Sequence, residues 1–241
     1  MAISSKEKRK WIEKGRAQVE EGLPGWFNTF ADMMTLLFAF FVLLAAISTI
    51  DPVKLQEMSD ALNKSVGKKI KKKGAMSLAD VQKAVNVMVK ENNLEDAVEV
   101  KTGPKGVTIG ISSDISFEPA SASTRPEFLP ILKKIVPTIN KSYFMVAIEG
   151  HTDSDPIPER VKDIYPSNWE LSAARAAAVV RMLIGLGVDP LRLQAVGYAE
   201  NVPRDRRQDL VIDQAMIRQL NATEELKARN RRVEITFLAA G

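Results

Sequence analysis

The hydrophobic pattern along the chain falls into three regimes. Residues 26–47 read WFNTFADMMTLLFAFFVLLAAI, 22 positions with one charge, Asp32. A bilayer core is crossed by roughly 20 apolar residues of helix, so one transmembrane helix is expected within residues 24–50. Pro24 suits a first helical turn and Trp26 an interfacial anchor. The run is too long for a cleavable signal peptide. Beyond it, Leu55, Met58, Leu62 and Val66 recur at helical spacing behind an Asp51-Pro52 start, which predicts an amphipathic helix over about 52–66. A basic run from Lys68 to Lys73 follows. Ser77-Leu78-Ala79-Asp80 then starts another helix, with Leu78, Val81, Val85, Met88 and Val89 in phase to about Asn92.

From residue 98 the pattern switches between period two and helical period. Val98–Val100 and Val107–Ile111 flank Gly103-Pro104-Lys105-Gly106 as a hairpin. Pro126 to about Asn140 fits a helix, and Met145–Gly150 a buried strand. Ser167-Asn168-Trp169-Glu170 reads as a capping box opening a helix to about Leu186. Leu193–Tyr198 reads as a third core strand, and Arg232–Phe237 alternates and closes the sheet. The expected organisation is a tail (1–23), a transmembrane helix (24–50), an amphipathic helix with basic linker (51–76), a linker helix (77–97) and one α/β, or α+β, sandwich (98–241). An extra stretch, Arg204 to Lys227, is helical in character around Asp209–Leu220 and stands as a lid, a dimer contact or neither.

Charge and rare residues narrow the function. Residues 1–76 hold 13 basic and 8 acidic side chains, whereas residues 77–241 hold 21 and 22. The folded part therefore lacks the global basic footprint of nucleic-acid binding, and the basic excess lies beside the most hydrophobic segment. Basic residues flank that segment on both sides, six before and seven after it, so charge alone does not orient it. The chain has no Cys and one His, which excludes thiolate chemistry and disfavours metal centres. Glu149, His151, Asp153 and Asp155 alternate, but there is no second His, and the alternation is read as turning them to opposite faces of a strand; a zinc-hydrolase site is disfavoured. No enzyme, cofactor or resident metal is expected.

Two places carry candidate chemistry. An ionised carboxylate inside a bilayer costs ~2.5–3.5 kcal/mol or more and is a functional-site signal by default. Asp32 sits on a stripe of polar and small residues with Asn28, Thr35, Ala39, Val42 and Ala46 at 4-3-4-3-4 spacing, the face a helix turns to a partner or a wet path. In the folded domain, Gly150-His151-Thr152-Asp153 puts polar groups at a strand end, and Asn168, Leu171 and Arg175 share one helix face. Asp153 and Arg175 would clamp the ammonium and carboxylate of a zwitterion, or form a structural bridge between loop and helix.

Those residues resemble two known families. Gly150-His151-Thr152-Asp153, Asn168-Trp169-Glu170-Leu171-Ser172-Ala173-Ala174-Arg175-Ala176, Gly197-Tyr198-Ala199 and Asn230-Arg231-Arg232-Val233-Glu234-Ile235 are similar to the OmpA-type peptidoglycan-binding domain, and Ile115–Glu118 through Pro126-Glu127 to its stretch before the first long helix. Phe30-Ala31-Asp32-Met33-Met34-Thr35-Leu36-Leu37, with Phe40–Leu44 and Asp51, resembles the transmembrane helix of flagellar stator B subunits (MotB/PomB). The resemblance implies a homodimer inside a ring of A subunits (MotA/PomA) in the bacterial inner membrane, with the N-terminus cytoplasmic and the folded domain periplasmic. Asp32 would carry the cation, supported by Asn28, Thr29 and Thr35. Leu55, Met58 and Leu62 would form a channel plug. Asp153 and Arg175 would bind the diaminopimelate of a stem peptide, with Thr152, Asn168 and Leu171 lining the pocket and Asn230 and Arg231 as further candidates. The cation is H+ or Na+, and Thr-Phe-Ala-Asp is closer to sodium-driven relatives. The alternatives are a static peptidoglycan tether and a non-flagellar envelope motor.

Overall fold

The computed structural model describes residues 4–17, 24–47, 76–206 and 212–239. The chain divides into two compact units, residues 1–50 and 51–241. The expected amphipathic helix with Leu55, Met58 and Leu62, and the Lys68–Lys73 run, lie outside the described residues.

The first unit contains two helices. α1 (Ser5–Ala17) is an element the hydrophobic pattern does not announce. Its start is fixed by Ser4, whose Oγ accepts from Lys6 N at 3.4 Å while its own N–H donates to Glu7 Oε2 at 3.1 Å, a reciprocal N-terminal cap. α2 (Gly25–Ile47) matches the expected span. Residues 25–46 are long and apolar enough to cross a membrane, and none of that window is buried by the chain itself.

The second unit is a two-layer sandwich. α3 (Leu78–Glu91) opens with a complete Ser77–Asp80 capping box. β1 (Val98–Gly103) and β2 (Gly106–Ser112) form the expected hairpin, and a single turn of helix, α4 (Ser113–Ser116), follows. Next come α5 (Phe128–Lys141), β3 (Val146–His151), α6 (Asn168–Gly185) and β4 (Leu193–Gly197). Two short helices, α7 (Gln214–Gln219) and α8 (Glu224–Asn230), precede β5 (Arg232–Leu238). The sheet order is β1-β2-β5-β3-β4, with only β3 and β4 parallel. Two expectations are corrected here. β5 does not close the sheet but lies at its centre, paired with β2 on one edge and β3 on the other. β4 is not a core strand but an edge, with Gln194 and Ala195 exposed.

One face of the sheet meets the helices. Val107, Ile109, Ile111, Val146, Ile148, Val233, Ile235 and Phe237 pack against α3, α5 and α6. The helix side offers Val81 and Val85, then Leu132, Ile135 and Ile139, then Val179 and Leu183, all at the 3-4 spacing of an apolar stripe. The alternate positions of the strands point to the other face, which carries Thr108, Thr236, Glu149, His151, Glu234 and Arg232.

α6 lies so close to β3 and β4 that no side chain fits between them. A Cβ on Gly150 would stand 2.1 Å from the Ser172 carbonyl oxygen, and one on Gly197 2.7 Å from Ala173 N. Ser172 Oγ closes the joint, accepting from Ala199 N at 3.1 Å and donating to Trp169 O at 3.0 Å. Gly150→Ala should therefore cost about 3 kcal/mol or more, because the obstruction is backbone and cannot rotate away; urea unfolding of the residue 76–241 domain measures it.

Candidate functional site

The Gly150–Ser172 contact places two side chains at once. Three residues beyond Gly150, past the end of β3, stands Asp153; one helical turn beyond Ser172 stands Arg175. Arg175 is 5% exposed. Its Nε donates to Ser121 O at 2.9 Å, and its guanidinium carbon lies 5.2 Å from the centre of the Phe117 ring. Among the described residues no carboxylate lies within 4.0 Å of it. Burial pulls its pKa down to about 10, against the opposing pull of the Asp153 charge.

Asp153 does not bridge to Arg175. Its Oδ2 accepts from Arg231 Nη1 at 2.8 Å, and its Oδ1 from Asp155 N at 3.2 Å. Arg231 also reaches Asp114 at 3.5 Å. Burial works against the Arg231 charge, but Asp153 and Asp114 outweigh it and raise its pKa. A loop-to-helix bridge between Asp153 and Arg175 is thus not formed; the bridge that exists joins Asp153 to Arg231.

Arg175 and Arg231 open into one cleft of about 400 Å³, lined also by Ser113, Asp114, Phe117, Ala120 and Arg125. The turn that aims Ser121 O at Arg175 passes through Ala120 at φ 53°, a left-handed conformation costing roughly 1–2 kcal/mol for a residue with a Cβ. Ser113 Oγ, in the cleft wall, and Thr152 Oγ1, beside Asp153, are buried without a hydrogen-bond partner. Such groups are exceptions in native proteins and point to a missing partner.

The other expected residues divide into two groups. Asn168 holds the loop after β3, its Nδ2 donating to Asp153 O at 3.3 Å and Asp155 O at 3.0 Å, and Leu171 is buried beneath it. Asn230 is corrected to a scaffold role. It is buried, its Oδ1 accepts from Arg204 N, and its Nδ2 donates to Leu220 O and Asn221 Oδ1, so its amide is committed to the fold. Two residues of the Arg204–Lys227 stretch hold the same loop. Asn221 Oδ1 accepts from Ser154 N at 3.3 Å, and Lys227 pairs with Asp155 at 2.8 Å. Sequence reasoning missed Ser113, Asp114, Phe117 and Ser121; their signal was only a polar run after a strand.

On the opposite sheet face, Glu149, His151 and Glu234 bring their ligand atoms within 4.8 Å of one another. The expectation that Glu149 and His151 face apart is corrected: residues two apart on a strand share a face. The cluster is already charge-balanced. Lys105 binds Glu149 at 2.9 Å and Arg232 binds Glu234 at 2.5 Å, so two cations answer two carboxylates without a metal. Burial raises the cost of the Glu234 charge, but His151 and Arg232 overcome it and hold the carboxyl below its usual range.

In the transmembrane unit, Thr29 Oγ1 donates to Trp26 O and Thr35 Oγ1 to Ala31 O, both at 2.7 Å. Asp32 is exposed on α2, one turn from Asn28 and Thr35, and has no partner among the described residues.

Comparison with known proteins agrees with this architecture. A family model described as "Membrane MotB of proton-channel complex MotA/MotB" matches residues 8–66, and the OmpA family model matches residues 116–216. The uncharacterized protein YtxE of Bacillus subtilis is 31% identical over 239 residues, covering 92% of either chain. Motility protein B of the same organism is 30% identical over 255 residues, covering 90% of this chain and 91% of its own. A MotB-like protein of Desulfovibrio vulgaris shares the fold at TM-score 0.57 and 24% identity, over 68% of this chain and 92% of that one. The cell wall anchor of the type VI secretion system of Pseudomonas aeruginosa superposes at TM-score 0.51 with 34% identity, over 64% of this chain and 96% of that one. The folded domain is of the OmpA type. The chain belongs to the motility protein B family.

His151, the chain's one histidine, makes a clean pH probe of the domain. Burial lowers its pKa from the ordinary value against the pull of Glu234. Below pH ~6.5 the unfolded state takes up a proton that the folded state refuses, so stability falls with pH, by up to ~1.4 kcal/mol per pH unit. Urea midpoints should decline from pH 7.5 to 5.5, and His151→Gln should flatten that decline.

Proposed function

We propose that this chain is the wall-anchored B subunit of a cation-driven flagellar stator. The observation that carries the anchoring half is Arg175: a buried guanidinium, held from behind by Ser121 O and Phe117, with no carboxylate of its own and facing a cleft. Such a site is built to receive a carboxylate in bidentate fashion. Arg231 stands beside it. Asp114 in the cleft wall, and Asp153 bonded to Arg231, supply negative charge for an ammonium, and the unpartnered Ser113 hydroxyl supplies a neutral hydrogen bond. A ligand with a carboxylate and an ammonium on one small carbon skeleton fits this set. The diaminopimelate of a peptidoglycan stem peptide has that chemistry. Its ammonium would compete with Arg231 for Asp153, so Arg231 is a positioning group that yields on binding.

The motor half rests on Asp32. The exposed polar stripe of α2 suits a second copy of the chain and surrounding A subunits (MotA/PomA type), with the N-terminus in the cytoplasm and the folded domain in the periplasm. A cation, H+ or Na+, neutralises Asp32 on arrival and restores its charge on leaving. Moving one charge across the membrane releases ~2.3 kcal/mol per 100 mV. Wall attachment converts that work into rotation of the partner ring. The segment 52–66 would plug the channel until the wall is bound.

The likeness to a secretion-system wall anchor favours a second reading, a static tether. The two readings separate at Asp32. In cells whose only B subunit is this chain, Asp32→Asn should abolish motor torque at unchanged membrane abundance; normal torque would leave the tether reading. Torque measured across sodium concentrations names the ion.

Anchoring is tested on purified peptidoglycan sacculi. Arg175→Ala and Asp153→Asn should each weaken co-sedimentation by ~30-fold or more, the loss expected when one partner of a buried charged contact is removed, about 2 kcal/mol at least. Arg175→Lys should not rescue, because the ammonium lacks the planar fork. Unaltered binding by a folded Arg175→Ala domain would place the ligand elsewhere.

A further inference from the structure

α1 is not used by either half of that function, yet it is an ordered helix with a sidedness. Trp11, Ile12 and Gly15 share one face by their 3-4 spacing, and Lys8 lies one turn before them on the same side. Trp11 is 75% exposed and Ile12 56%. The helix carries six basic residues and two acidic ones, with Lys6, Arg9 and Lys10 gathered around Glu13 on the opposite side and Lys14 at the margin. A helix of 13 residues is marginal in water by itself, so an apolar face this exposed calls for a surface to rest on.

The connection to α2 says which surface. Only residues 18–24 separate α1 from the membrane-crossing helix. Seven residues reach at most ~25 Å, which holds the C-terminal end of α1 within that distance of α2 and lets a helix ~20 Å long lie along the membrane surface. The tether leaves α1 free to come within the ~8 Å over which electrostatic attraction acts at physiological ionic strength. A second copy of α1 is a poor occupant, since two helices of the same net positive charge repel.

We propose that α1 is a membrane-surface anchor that lies in the headgroup layer of an anionic leaflet. Trp11 and Ile12 enter the boundary with the acyl chains, Lys8 reaches back out along its own stem, and Lys6, Arg9, Lys10 and Lys14 hold acidic phospholipid headgroups. The inference rests on α2 spanning the bilayer and is independent of the ion, the wall ligand and the rotor.

The test uses the full chain in vesicles. The chain has three tryptophans, so Trp26→Phe with Trp169→Phe leaves Trp11 as the sole reporter. The protein is reconstituted in phosphatidylcholine alone and in phosphatidylcholine with a quarter phosphatidylglycerol, each containing lipid brominated near the headgroup. Expected is at least a twofold stronger quenching of Trp11 in the anionic vesicles, reduced to the neutral level when Lys6, Arg9, Lys10 and Lys14 are changed to Gln. Equal quenching in both lipids overturns the proposal. So does quenching that follows protein density, which assigns the face to a second copy, or burial of Trp11 only with a co-reconstituted A subunit, which assigns it to that partner.

Discussion

The close approach of α6 to β3 is the constraint on which the Arg175 cleft depends. With Gly150 against the Ser172 carbonyl and Gly197 against Ala173, helix and strands meet backbone to backbone. Asp153 and Arg175 lie three residues beyond the two partners of that contact, so a shift of the helix along the strand would separate them together. The Ser172 hydroxyl, bonded to Ala199 N and Trp169 O, fixes the contact in register. Thr152 N, bonded to Ala199 O at 2.9 Å, carries the pairing past the end of β3 to the residue before Asp153.

The domain holds two buried ionic arrangements of opposite logic. On the open sheet face, Lys105 pairs with Glu149 and Arg232 with Glu234, and Tyr198 stacks on the His151 ring at 5.3 Å. The carboxylates there are matched by cations, although both ring nitrogens of His151 are buried without a hydrogen-bond partner among the described residues. Around Arg175 the matching is incomplete: Arg231 pairs with Asp153 and Asp114 and Arg125 with Glu118, but the buried Arg175 guanidinium has no carboxylate within 4.0 Å among the described residues. Burial of an uncompensated charge is destabilising, and a protein keeps it where a ligand completes the pair.

Elements with caps or strong periodicity were legible in the sequence. Ser77–Asp80 and Ser167–Glu170 form the capping boxes their spacing announces, and the hairpin turns at Pro104-Lys105. Strand order was not legible, because alternation in Arg232–Leu238 says that one face is buried but not that neighbours stand on both edges. α1 escaped notice since its apolar stripe is two large residues wide. Asp153 and Arg175 could be picked from their positions on strand end and helix face. Their relation could not: the partner of Asp153 is Arg231, 78 positions away, and the cleft wall comes from a one-turn helix whose serines and aspartate resemble any loop.

The backbone contact at Gly150 also bears on mechanics. On the proposed reading, a pull on a ligand at Arg175 would enter α6 and pass at once into β3, which is paired on both sides, to β4 and to the central β5. No long flexible loop lies in that path. The 153–155 loop on the other side of the clasp is itself tied down by Asn168, Asn221 and Lys227. Strain is therefore spread over a sheet instead of a hinge, and the stiffness of the attachment is that of the sheet itself.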